Sequence, residues 1–123
     1  MKLFLIIASV FGFLFVAIGA FGAHALSERL AETGRTETFE TGVLYHMIHT
    51  VAILAVAILT RYLSATGLLY GAGWAFTAGI IIFSGSLYAL SLTGIRVFGA
   101  ITPIGGAAFL AGWVLIFIAA VNE

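Results

Sequence analysis

The chain has 123 residues, 63% hydrophobic and only 8% charged, and its five basic residues balance five acidic ones. A soluble domain carries about 25% charged residues, so this composition excludes a water-soluble fold, and the neutral balance removes any charge-based case for nucleic acid. The absence of cysteine excludes disulfides, thiolate metal sites, iron–sulfur clusters and cysteine nucleophiles.

Crossing the hydrocarbon core as a helix takes about 20 apolar residues. Four segments meet that length, residues 3–26, 41–60, 66–90 and 98–121. They predict an all-α membrane protein, a single transmembrane domain built as a four-helix bundle. Ala23-His24-Ala25 has the small-x-small form of a signal-peptidase site. The apolar run ahead of it exceeds the roughly 7–15 residues of a signal core, and three more spans come after it. The first segment is therefore expected to stay as a helix, with His24 at its end. The polar interval 27–40 predicts a short interfacial helix with Ser27 as N-cap and Gly34 as its stop. Leu26 and Leu30 would share its face toward the headgroups. Thr36 or Thr38 would cap the second span, with Phe39 dipping back into the interface.

The short link 61–65 predicts a tight antiparallel hairpin between spans two and three. Gly94 and Arg96 mark the last turn, and Pro103 falls in the first turns of span four, where proline is tolerated. Four spans put both termini on one side. The positive-inside count is nearly even, and the acidic interval 27–40 favours cytoplasmic termini.

Small residues recur at helical spacing. Gly67, Gly71, Ala75 and Gly79 line one face of span three, and Gly105, Ala108 and Gly112 one face of span four. Such stripes let helices approach closely in lipid. Packing within the monomer is the plainer reading, and an interface in a homo-oligomer or larger complex the sharper one.

The topology gathers His24, Tyr45, His46, His49, Ser84, Ser86, Tyr88 and Thr102 into one leaflet. Polar groups at that depth are costly and turn toward the bundle or a wet cavity. His46 and His49, three apart, would lie on one helix face. Three readings compete for the histidines: hydrogen bonds that lock the bundle, a pocket for a proton or ligand, and a metal or haem site. No carboxylate lies within the spans to support a metal, so no metal or cofactor is assigned. Enzymatic chemistry is not expected either. The chain has no Asp, its glutamates sit in the polar interval and at the C-terminus, and a serine–histidine pair alone is a weak signal. The glycines of "GAGWAFTAG" lie inside a span, which rules out a phosphate-cradling loop. Arg96 would serve as an interfacial anchor, or hold a lipid headgroup or a partner carboxylate.

Four motifs occur together and in order. They are "GAFGAHAL" closing span one, "T-G-V-x-Y-x-x-x-H" opening span two, "FSGSLYAL" closing span three and "ITPIGGAAFLAGW" in span four. With them the chain resembles the domain-of-unknown-function 423 family, small four-span proteins related to transmembrane protein 256. The matching positions are Gly22, His24, Tyr45, His49, Gly85, Ser86, Tyr88, Thr102, Pro103, Gly105, Gly106 and Trp113. His46 lies outside the pattern. The resemblance implies a multi-pass protein of the bacterial inner membrane and lends no catalytic assignment. The leading expectation is a non-enzymatic structural or accessory component whose partners are the bilayer and a homo-oligomer or larger membrane complex. The alternative is a ligand-, lipid- or proton-binding module.

Overall fold

The computed structural model describes residues 1–123, and they are helical almost throughout. The helices are α1 (Lys2–Ala23), α2 (Ser27–Thr33), α3 (Thr36–Leu59), α4 (Thr66–Gly79), α5 (Gly85–Thr93) and α6 (Val97–Val121), with one π-helical turn, Ile80–Ser84, between α4 and α5. Four helical stretches are long and apolar enough to cross a membrane, the third being Thr66–Thr93. The expected all-α, four-span fold is what forms.

The four spans are not equivalent. In the most apolar 18 residues of each, 44% and 50% are buried in the second and third spans, against 11% and 22% in the first and fourth. Spans two and three therefore form the central pair. Helix α1 flanks α3 on one side, and α6 flanks α4 on the other. Both outer helices keep a broad apolar face for lipid, and Phe13 and Phe117 are among its exposed residues.

Aromatic rings on glycines organise the core. Phe4 of α1 covers Gly73, Phe109 of α6 covers Gly79, and Phe76 of α4 covers Gly112. A methyl group at any of these glycines would overlap the ring. In lipid the hydrophobic effect between helices is absent, so van der Waals contact of this kind does the work of association. Gly105 differs, because a side chain there would meet the backbone nitrogen and Cα of Phe83. This is the closest helix–helix approach among the glycines. Gly67 does not fit the small-residue expectation, since nothing lies within 4 Å of the space above it.

The π turn is absent from the sequence expectation of one regular third span. Its extra residue rotates the remainder of the span, α5, relative to a continuous α-helix. Phe83, within the turn, thereby presents its backbone to Gly105, and Ser84 donates its Oγ–H to the carbonyl of Gly42 at 2.7 Å.

The polar interval is only partly a surface element. Helix α3 begins at Thr36, five residues before the apolar stretch, and no side chain caps it, so neither threonine plays the expected role. Phe39 is buried against Gly22 and Tyr88 instead of lying in the interface. Ser27 is the first residue of α2 and not its cap; its Oγ–H goes to the His24 carbonyl. Gly34 ends α2 in the left-handed region, φ 68°, as expected of a stop.

Leu30, only 1% exposed, is inserted into the protein and does not rest on headgroups. The reason lies in α5. The last four carbonyls of a helix have no intrahelical partner. Gly94 N–H takes the Leu90 carbonyl, Thr33 Oγ–H takes that of Ser91 and Arg29 Nε–H that of Leu92. Helix α2 is thus the polar cap of the third span.

At the opposite end the C-terminus is tied to the link between the second and third spans. Glu123 accepts hydrogen bonds from the Ser64 Oγ–H, at 2.8 Å, and the Ser64 backbone N–H. These bonds hold its carboxyl below the usual glutamate value. A carboxylate whose value is lowered by folding stabilises the fold above its unfolded pKa and loses that contribution as pH falls through the lowered one. The Ser64 amide resonance is therefore expected to shift on acidification with a midpoint below the ordinary value of about 4.3. A midpoint at or above that value would show that the clasp does not form.

Candidate functional site

Helix α3 carries Tyr45, His46 and His49. His46 and His49 are 3% and 4% exposed. Residues three apart are about 60° apart around a helix, and here that angle is enough to send them into different grooves.

His49 faces α6. Its Nδ1–H donates to the Tyr45 carbonyl at 2.8 Å, and its Nε2 accepts the Trp113 Nε1–H at 3.1 Å. Indole nitrogen can only donate, so the Trp113 bond fixes His49 as the Nδ1–H tautomer. The imidazole stacks on Phe109 with centroids 3.6 Å apart and planes at 8°. Tyr45 and Phe83 close the cluster. Both ring nitrogens of His49 are engaged, which leaves none for a metal or haem.

His46 faces α1 and α5. Its Nδ1 pairs with the Tyr88 hydroxyl at 2.9 Å, and Phe11 and Phe15 of α1 meet its ring edge-on, at 87° and 67°. Its Nε2 is the one buried side-chain polar atom without a hydrogen-bond partner. Nearby, Ser86 and Thr102 share a 2.6 Å bond that ties α5 to α6. The hydroxyls of Thr50 and Thr77 bond to carbonyls one turn back in their own helices, which removes their cost in lipid.

The predicted polar residues therefore do not converge on one cavity. Tyr45 and His49 line a groove between α3 and α6 together with Trp113 and Phe83. Tyr88 borders a separate apolar depression with Ile18, Phe39 and Leu92. His24 is exposed beside Phe21 and Ala17 and bonds to neither histidine of α3. No three His or Glu side chains gather in a metal-binding arrangement. The residues that sequence reasoning left out of the site are Trp113, Phe109 and Phe11. Trp113 did carry a signal, as the last position of the "ITPIGGAAFLAGW" motif.

Four apolar helices, an internally bonded polar leaflet and both termini at one end define a multi-pass integral membrane protein. The model of a protein family described as of unknown function, DUF423, matches residues 18–106. The chain is 46% identical over 122 residues to the UPF0382 membrane protein YwdK of Bacillus subtilis, covering 99% of this chain and 98% of that one. It is 42% identical over 124 residues to the UPF0382 inner membrane protein YgdD of Escherichia coli, covering 98% and 91%. A Staphylococcus aureus relative, the UPF0382 membrane protein SAB0533, is 42% identical over 119 residues, covering 97% and 95%. The chain belongs to the DUF423 family, and the naming of the E. coli relative agrees with the expected inner-membrane location. No solved structure matches it.

Proposed function

We propose that the protein is a non-enzymatic accessory component of a membrane assembly, acting through the lipid-facing sides of α1 and α6. The observation that carries this reading is the engagement of the polar leaflet within the bundle. Both His49 nitrogens, the Ser86–Thr102 pair and the Ser84 hydroxyl are all spent on helix contacts. A nucleophile, a general base or a ligand set would need such groups free. The two outer helices, in contrast, retain large apolar surfaces.

Extraction from native membranes in mild detergent tests this directly. The expected particle is heavier than one chain and contains other polypeptides in fixed ratio. A particle of this chain alone would overturn the proposal.

The unpartnered Nε2 of His46 favours a second reading, a proton- or ligand-binding position between α1 and α3. Nitrogen-15 spectra of the His46 ring in bilayers would discriminate. Under this reading the ring changes its protonation state as the sample is acidified; a constant neutral pattern would discard it.

A further inference from the structure

A groove of about 510 Å³ runs between α3 and α6 and opens sideways toward the hydrocarbon. That volume is within the roughly 300–1,000 Å³ of small-molecule sites. Tyr45 and Phe83 wall it on one side, Pro103, Leu110 and Trp113 on the other, and Gly106 adds no bulk. The polar atoms at its inner wall, His49 Nε2 and Trp113 Nε1, satisfy one another. What remains for an occupant is an apolar trough.

Its length is informative. From Pro103 to Trp113 the rise along α6 is about 15 Å, half of a hydrocarbon core of about 30 Å. This is the depth of one leaflet. Above the trough stands Arg96, exposed at the start of α6. At helical spacing Arg96, Pro103, Ala107 and Leu110 form one stripe, and Arg96 lies about 10 Å above Pro103. The protein's one ion pair is Arg29–Glu32, so Arg96 is not neutralised by a carboxylate of the chain. A guanidinium at headgroup level, over an apolar trough one leaflet deep, complements a single molecule with an anionic head and a long chain.

We infer that the α3/α6 groove is a binding site for an anionic glycerophospholipid, its phosphate on Arg96 and one acyl chain along Pro103 to Trp113. Arginine suits this role because its planar donors match phosphate oxygens in pairs.

The two tryptophans make the test internal. Trp113 lies in the groove and is 45% exposed; Trp74, 51% exposed, packs by Phe4 and does not line the groove. The full chain bearing Trp74→Phe, with Trp113 as its sole indole, is reconstituted in phosphatidylcholine vesicles. These contain a minor fraction of brominated phosphatidylglycerol or, in parallel, brominated phosphatidylcholine. Quenching of Trp113 is expected to give a relative association constant about fivefold in favour of phosphatidylglycerol, the contribution of one surface cation. Arg96→Gln should bring that ratio to about one, and Arg96→Lys should retain part of it. In the Trp113→Phe chain, Arg96→Gln should leave the quenching of Trp74 unchanged, which also reports an intact fold. Equal quenching by both lipids, or a preference that survives Arg96→Gln, would overturn the assignment. So would a Trp113 shielded from both lipids, because a second copy or another occupant would then fill the groove.

Discussion

Gly105→Ala is expected to destabilise the bundle by about 1–3 kcal/mol, the usual range for overpacking a tight interior, and Gly105→Leu to prevent α6 from docking. The difference from the other glycines is physical. At Gly79 or Gly112 the obstacle to a new methyl is a phenylalanine ring, which can rotate or shift. At Gly105 the obstacle is the main chain of Phe83, held in the π turn. Backbone there cannot yield without breaking the third span. Gly67→Ala is the matched control, because the position is open; it should change stability by no more than about 0.5 kcal/mol. Unfolding by sodium dodecyl sulfate in mixed micelles, followed by far-UV circular dichroism, reads both. Equal effects at the two positions would mean that α6 does not approach Phe83 as described.

The second large effect is expected at the His49–Trp113 bond. Interhelical hydrogen bonds in membrane proteins average about 0.6 kcal/mol and reach about 1.7. His49→Leu removes more than that bond. It leaves the Trp113 N–H without an acceptor and takes away the ring stacked on Phe109. The expected cost is about 2 kcal/mol, the middle of the roughly 1–3 kcal/mol penalty for an unsatisfied buried donor. Trp113→Phe should cost less, since it keeps the His49 ring stacked on Phe109 and bonded to the Tyr45 carbonyl. The double variant should be less damaging than the sum of the two, by about 1 kcal/mol, because residues sharing one bond are coupled. Additive effects would show that the two side chains act independently.

The packing scheme accounts for an unusual composition. The chain has 15 glycines and 11 phenylalanines. Sequence spacing reads the glycines as stripes for close backbone approach. In the folded protein most of the buried ones are seats for rings, and backbone meets backbone only at Gly105. The stripe pattern could not separate these cases, since both need a missing side chain. What distinguishes them is the neighbour, and the neighbour comes from another helix.

The histidines teach the same lesson. Their type, depth and spacing on one helix were legible, and so was the lack of carboxylates beside them. Their separation was not. Whether a 60° difference keeps two side chains together depends on where the grooves of the surrounding helices fall. With α1 on one side of α3 and α6 reaching the other, His46 and His49 are divided. Trp113 could be marked by its motif, yet nothing in the linear order shows that it reaches His49 across a separation of 64 residues.

By itself the sequence determined the environment, the number of crossings and the hairpin order. These rest on local quantities: the length of each apolar run against the thickness of the bilayer, and the placement of charge and of glycine stops. The tertiary structure alone decided three other matters. One is the central, most buried position of spans two and three; another is the π turn that seats Gly105 on Phe83. The last is the use of α2 to cap the carbonyls of α5. Each depends on groups distant in sequence satisfying one another's contacts or hydrogen bonds. In a solvent that offers neither hydrogen bonds nor a hydrophobic driving force between helices, those mutual contacts select the arrangement.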